Sequence, residues 1–231
     1  EVTCRSLLEA GKQAGGQDNL TAVVVGICVR EFRDGDVVYH GYPCPPQLWK
    51  AMREEHANAL IEQGKFYMKN QLEYPKEPPP RGDPKEGILE FEFGGSGFCV
   101  HSGNHVHIWC ATTESDPARL LAQWPDYDAV VEITNCQEIF RRVAKACRDQ
   151  NVDYSEIHAS FARYNRGQSL PAWASWEHGH FQKGLEYEDQ KEYRFVIVLN
   201  HGEAYQKEII LKLGDCRDVV RLVARRKRGA L

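Results

Sequence analysis

The sequence lacks several features that define whole classes of protein. No apolar run approaches the roughly 20 residues that span a bilayer, and no internal repeat or C-x-x-C pair is visible. The net charge of -4 gives no general attraction to nucleic acid or lipid. The chain opens EVTCRSLLEA, without an initiator Met, which is unlike a signal peptide and typical of a fragment or a processed product. We therefore expect no membrane partner, and nucleic acid is a disfavoured one.

The cysteines indicate a reducing environment. The sequence has 8 of them, scattered along the chain, and several lie inside apolar stretches such as VGICV, GFCVH and HIWCA. A buried, reduced cysteine behaves as a small hydrophobic residue, whereas disulfides belong to oxidising compartments. We predict free thiols and a cytoplasmic protein, either in the producing cell or delivered into a target cell.

Helical and strand patterns alternate irregularly along the rest of the chain. Amphipathic spacing predicts helices at PPQLWKAMREEHANALIEQ, ARLLAQW and CQEIFRRVAKACRDQ. Strands are predicted at DVVYH, KFYM, ILEFEF, DAVVEI, EIHASFARY, EYRFVIVL, KEIILKL and DVVRLV, and FCVHSGNHVHIWC predicts a hairpin. KNQLEYPKEPPPRGDPKEG predicts an exposed, extended loop that proteases cut first. Because the strands crowd toward the C-terminal half, we predict an α+β fold with a mixed, mainly antiparallel sheet and flanking helices.

The N-terminal segment has a character of its own. LLEAGKQAGGQDNLTAVVV combines a helix, a Gly-Gly turn, an Asp-Asn pair and a Val-rich strand. It resembles the closing helix and strand of the metal-dependent serine/threonine protein phosphatase family, and the resemblance implies that Asp18 occupies a metal-ligand position. One carboxylate cannot hold a two-metal site. We therefore interpret residues 1–31 as a phosphatase-like remnant, residues 32–224 as the functional domain and residues 225–231 as a basic tail, with Asp18 dispensable.

A cluster of histidines and cysteines raises the question of zinc. The candidates within a short segment are Cys99, His101, His105, His107 and Cys110. His105 and His107 are two apart and share a strand face, but structural zinc sites usually take two ligand pairs on tight knuckles. We predict no metal; a metal-dependent hydrolase or nuclease centred on this segment is the alternative.

Polar residues recur at strand ends. Tyr39 and His40 end one strand, Thr112 and Thr113 end another, and Gln190 and Glu192 open the strongest strand of the chain. Each set has a structural interpretation as well, because the threonines precede a helix with Pro117 near its start and can cap it. The polar residues at the start of the strand EYRFVIVL can equally be a surface salt-bridge cluster.

The order of these polar strand ends resembles the ADP-ribosyltransferase superfamily. The resemblance places His40 at the first-strand position, Thr112 and Thr113 at the middle one, and Gln190 and Glu192 in a Q-x-E motif. Many members carry Arg where this chain reads Tyr-His-Gly, which indicates a different subclass. The short motifs GKFYM, GDPKEG, CATTE and KEYRF are also similar to those of an uncharacterised bacterial family.

The resemblance implies an NAD-dependent ADP-ribosyltransferase or NAD glycohydrolase, such as a bacterial toxin or effector, with NAD as its substrate and an unknown acceptor, for example a protein. Its implied catalytic residues are Glu192, Gln190 and His40, and its implied NAD-binding residues are His40, Tyr39, Tyr42, Thr112, Thr113 and Trp176. We also predict that the strand EYRFVIVL starts near Glu192, leaving Glu188 in a solvated turn. The alternative is a non-catalytic regulatory or interaction module attached to a signalling phosphatase.

Overall fold

A computed structural model describes residues 31–40, 44–77, 82–93, 96–101, 105–164, 179–200 and 205–226. The interpretation of the N-terminal remnant, including Asp18, falls outside the described residues. So do the predicted ligand-binding residues Tyr42 and Trp176, and residues 227–231 of the basic tail.

Short strands and three helices alternate along the described chain. The helices are α1 (Glu54–Gln63), α2 (Pro117–Gln123) and α3 (Cys136–Asp149). The strands of the N-terminal half are β1 (Glu31–Asp34), β2 (Val37–His40), β3 (Leu48–Met52), β4 (Lys65–Asn70), β5 (Ile88–Phe93), β6 (Ser96–His101) and β7 (Val106–Thr112). Those that follow are β8 (Ala129–Ile133), β9 (Tyr154–Phe161), β10 (Glu192–Leu199), β11 (Glu208–Lys212) and β12 (Val220–Arg225).

Within the described residues, one large sheet organises the molecule. Its strand order is β1-β2-β9-β10-β7-β3-β8-β12, with β4 also paired to β7 and β11 paired to β4. The pairs are antiparallel except for β2 with β9. The prediction of an α+β fold with a mainly antiparallel sheet is therefore confirmed.

The main core lies between the sheet and α3. This helix is amphipathic, and its apolar face is completely buried at Ile139, Phe140 and Val143. The ring of Phe140 stacks on Phe195 of β10 with centroids 4.3 Å apart. Burying a side chain of this size stabilises the fold by about 1.5–3 kcal/mol, so α3 fixes the position of β10 firmly.

Two sequence predictions about elements are corrected. The first helix begins at Glu54, not at Pro45, because residues 48–52 form β3 between β7 and β8. The prediction of a hairpin at FCVHSGNHVHIWC is also wrong: β6 pairs with β5 in a separate sheet, while β7 pairs with β10. In both cases pairing with a distant strand overrides a local pattern.

The expected exposed loop is largely folded. Residues 71–76 form a 3-10 helix whose N-cap, Asn70, accepts a hydrogen bond from the Leu72 N–H at 3.0 Å. Gln71, Asp83 and Glu86 are buried. No helix in the described ranges combines the length and apolarity that crossing a bilayer requires.

Candidate functional site

Strand β7 divides one of its edges between two partners. Near its C-terminal end Thr112 pairs with Trp49 of β3, while near its start Ile108 pairs with Lys69 of β4. The two partners diverge over residues 109–111, and a cavity of about 450 Å³ opens beside them. This volume lies in the range of roughly 300–1,000 Å³ that small-molecule sites occupy.

Glu192 lies in the lining of this cavity, at the first position of β10. The residue is only 7% exposed, and its carboxylate Oε2 lies 2.9 Å from Lys183 Nζ and 3.2 Å from Arg194 Nη2. Its backbone N–H donates to the Tyr164 hydroxyl at 2.7 Å. Across the sheet Glu192 is in register with Thr112, so the fold brings these two candidate residues together.

A buried ionic network surrounds the carboxylate. Arg194 donates to both carboxylate oxygens of Glu86, at 2.8 and 2.9 Å. Lys183 donates to Gln190 Oε1 at 2.5 Å as well as to Glu192. In this network the two cations balance the two carboxylates, and removing one partner of such a buried pair costs about 3–5 kcal/mol.

The network keeps Glu192 ionised. Burial by itself would raise the pKa of this carboxyl, because a charged group loses its hydration. The adjacent charges of Arg194 and then Lys183 outweigh burial and hold the pKa of Glu192 well below its usual range. The cavity therefore presents a carboxylate, not a carboxylic acid, at neutral pH.

The neighbouring thiol behaves in the opposite way. Burial, followed by the charge of Glu192, raises the pKa of Cys110 to about 12. The thiol also forms a hydrogen bond with Glu192 and lies 3.7 Å from the Tyr74 hydroxyl. Because its pKa is raised, Cys110 stays protonated and donates to the carboxylate. It is not an activated nucleophile, since a nucleophilic cysteine requires a lowered pKa.

The chain reaches Glu192 through a sharp turn. Residues 185–190 form a 3-10 helix, and Lys191 then adopts a left-handed conformation with φ of 44°. Thr112 Oγ1 holds this turn by donating to the Gln190 carbonyl at 2.7 Å. The predicted strand start at Glu192 is confirmed, and Glu188 is exposed in the turn. Gln190 lies in this turn, before the strand, and is joined to Glu192 through Lys183, which donates to both side chains.

Lys183 is positioned by an extension of β9. Its backbone N–H donates to the Arg163 carbonyl at 2.9 Å, and the Arg163 N–H donates to the Phe181 carbonyl at 2.7 Å. These bonds hold residues 181–183 along the end of the sheet. The ammonium group then points back to the carboxylate, with the Lys183 side chain only 4% exposed.

The four short motifs of the sequence meet at this cavity. GKFYM contributes Lys65, Phe66 and Tyr67; GDPKEG contributes Glu86; CATTE contributes Cys110 and Thr112; KEYRF contributes Glu192 and Arg194. Aromatic side chains complete the lining, including Trp49, Trp109 and Trp124. Segments that are distant in the sequence thus contribute the polar and the aromatic side chains that line the cavity.

Other predicted residues lie elsewhere. Tyr39 is 1% exposed and belongs to the main core with Tyr193, on the sheet face opposite Glu192. His40 ends β2, which β9 separates from β10. Thr113 follows β7 and is not among the residues that line the cavity.

The zinc candidates do not form a ligand cluster where their positions are described. His107 is completely buried, and its Nε2 lies 3.1 Å from the Gln206 carbonyl oxygen. In the described part of the chain, no group of three or more His, Cys, Asp or Glu side chains is arranged to hold a metal ion.

Sequence reasoning missed Lys183, Glu86 and the role of Arg194. A signal was present for Arg194, because a charged residue inside EYRFVIVL must be buried and needs a partner. The partners themselves, one more than a hundred residues upstream, could not be assigned from spacing. Comparison of the chain with protein-family models, with curated proteins and with solved structures finds no match.

Proposed function

We propose that this cavity binds NAD and that the chain is an ADP-ribosyltransferase or NAD glycohydrolase with an ADP-ribosyltransferase-like split sheet. The observation that carries the proposal is the ionised Glu192 carboxylate in the lining of a cavity large enough for a nucleotide. The nearby Gln190 can form hydrogen bonds with such a ligand, and the aromatic side chains of the lining can stack on its rings. His40 keeps its expected role as a prediction.

The chemistry requires a fixed negative charge. Breaking the bond between ribose C1′ and the nicotinamide nitrogen sends the bonding electrons to nicotinamide and leaves positive charge on the ribose. A rigid carboxylate facing that charge stabilises the transition state, and water or an acceptor nucleophile then bonds to C1′. Glu192 is held rigidly at the start of a strand that is paired on both edges.

Lys183 has to move for this reaction. Its ammonium lies 2.9 Å from Glu192, where a ribose hydroxyl would bind, and its charge opposes a developing cation. Gln190 Oε1 offers it a second acceptor at 2.5 Å, so the ammonium can release Glu192 without losing every partner. Substrate binding is therefore expected to exchange the Lys183 contact for a ribose hydroxyl.

The test compares Glu192→Gln with Glu188→Gln in an assay of nicotinamide release from NAD. We expect Glu192→Gln to lose on the order of 10²–10³ in rate, as for removal of one preorganised electrostatic group. Glu188→Gln removes an exposed carboxylate from the preceding turn and should retain the wild-type rate. Absence of nicotinamide release by the wild type would refute the proposal.

Stability must be separated from catalysis in this test. Glu192→Gln leaves Lys183 and Arg194 with less compensating charge, so it is expected to lower the melting temperature. Glu86→Gln weakens the same network through Arg194 and provides the matched control. An equal loss of rate in the two variants would assign the effect to the network and not to the Glu192 carboxylate.

A second function is favoured by one observation. Glu192 is already paired with Lys183, Arg194 and the Cys110 thiol, which is the pattern of a structural ionic network. A non-catalytic module would bind its ligand in the cavity without turnover. Calorimetric NAD binding without nicotinamide release would favour this second function.

A further inference from the structure

The cations that line the cavity differ in whether a carboxylate neutralises them. Arg194 pairs with Glu86 and Glu192, Lys183 pairs with Glu192, and Lys69 forms a salt bridge with Glu77. Lys50, like Lys65, is different: among the described residues, no carboxylate oxygen lies within 4.0 Å of its ammonium. It is a half-buried charge in the cavity lining without a counter-ion in the described part of the chain.

The contacts of Lys50 compensate its charge only partly. Its Nζ donates to the Cys110 carbonyl. Cys110 belongs to the stretch of β7 between the residue that pairs with β4 and the residue that pairs with β3. The same Nζ lies 5.0 Å from the centroid of the Trp109 ring, a cation–π contact. Because a lysine ammonium has three donors, it can accept an anionic ligand while it keeps the carbonyl bond.

We propose that Lys50 binds a phosphate group of a nucleotide ligand, with a nucleoside diphosphate as the minimal ligand. The charge on Lys50 supplies the phosphate contact, and the aromatic side chains that line the cavity, including Trp49, Trp109 and Trp124, suit a base. The proposal rests on the proposed function only in assigning the ligand to the same cavity. It requires no chemistry at Glu192.

The lining as a whole agrees with an anionic ligand. Its cationic side chains are Lys50, Arg53, Lys65, Lys69, Lys183 and Arg194, and its carboxylates are Glu77, Glu86, Glu192 and Glu208. Cations are in excess, although the net charge of the chain is -4. This local excess of cations in the lining favours an anionic ligand.

The experiment is isothermal titration of ADP and of adenosine into wild type, Lys50→Met, Lys50→Arg and Lys69→Met. Wild type should bind ADP more tightly than adenosine, and Lys50→Met should lose about tenfold for ADP while adenosine binding is unchanged. Lys50→Arg keeps the charge and should retain most of the affinity. Lys69→Met is the matched control, because Glu77 already neutralises Lys69 in the same cavity.

Each outcome decides something. Equal ADP affinity in wild type and Lys50→Met, or wild-type ADP binding that is absent or no tighter than adenosine binding, overturns the proposal. Thermal melts of Lys50→Arg and Lys50→Met identify a folding defect. ADP binding that depends on Lys50, in a protein that releases no nicotinamide from NAD, would support the phosphate contact and refute the proposed reaction. NAD turnover by the wild type, together with an ADP affinity that does not change in Lys50→Met, would support the proposed reaction and refute the phosphate contact.

Discussion

Single residues in this protein acquire their chemistry from partners that are distant in the sequence. Glu192 is a carboxylate because of Arg194 and Lys183, and Cys110 is a protonated thiol because it is buried beside Glu192. The residues that the sequence marked, Glu192 and Thr112, do meet in the fold. Their charge states could not be read from the sequence, because Lys183 and Glu86 reach the site through tertiary contacts.

A histidine next to the network provides a prediction about pH. The His180 carbonyl accepts from Arg194 Nη1 at 2.6 Å, and the ring is desolvated. Burial, followed by the charges of His158, Arg194 and His105 and opposed by Glu156, lowers the pKa of His180 to about 4. The unfolded chain takes up this proton near pH 6.5. The stability due to His180 is therefore complete above about pH 6.5 and is lost as the pH falls toward 4.

The measurement is the free energy of unfolding against pH for wild type and His180→Gln. The variant should have a flatter profile between about pH 6.5 and 4. His56→Gln is the comparison variant, because it removes a histidine whose side chain is 45% exposed. Parallel profiles for wild type and His180→Gln would show that His180 does not contribute to acid destabilisation.

At the scale of elements, the local pattern predicted the end of α1 correctly and its start wrongly. The predicted helix PPQLWKAMREEHANALIEQ ends at Gln63, as α1 does, and the next residue, Gly64, adopts the left-handed conformation of a helix end. The start was misplaced because Leu48 and Met52 satisfy helical spacing, although they lie in β3. Neither β3 nor β7 could have been assigned its partners locally, because both pair with strands far along the chain.

Gly64, at the end of α1, and Gly35, in the turn between β1 and β2, provide a matched pair of glycine variants. Gly64 has φ of 61°, and a Cβ at this position would lie 2.0 Å from the Gly214 carbonyl oxygen. Gly35 has φ of 59°, with no atom within 4 Å of the corresponding position. Gly35→Ala should cost only the conformational strain of about 1–2 kcal/mol.

Gly64→Ala should cost several kcal/mol, because it adds a backbone collision to the same strain. Chemical denaturation of the two variants gives both values. A similar loss of stability in both would mean that Gly214 moves away without significant cost, and the contact between α1 and residues 213–216 would then not be rigid.

At the scale of the whole molecule, the cavity joins segments that the sequence keeps far apart. Its lining runs from Trp49 on β3 to Glu208 on β11. A bound nucleotide would therefore crosslink strands from both halves of the described chain. In hydrogen exchange with saturating ADP, we expect slower exchange in β3, β4 and the segment 183–194 together. Protection confined to one of these segments would show that ADP binds outside the cavity.

The general architecture was accessible from composition and periodicity, since strand runs concentrated late in the chain indicated a mainly antiparallel sheet. The division of β7 between β3 and β4 was not accessible. It depends on two short pairings, Trp49 with Thr112 and Lys69 with Ile108, that leave no pattern in either segment. The cavity is a product of that division and was equally invisible.

The central place of β10 has a consequence for the order of folding during synthesis. β7 and β9 leave the ribosome well before residues 192–199, which pair with both of them. Until then the backbone N–H and C=O groups on the edges of β7 and β9 that pair with β10 have no partner strand, the condition in which chains aggregate or recruit chaperones. The Glu192 site therefore assembles late, and premature termination before residue 192 would leave a chain that can neither close its sheet nor form the cavity.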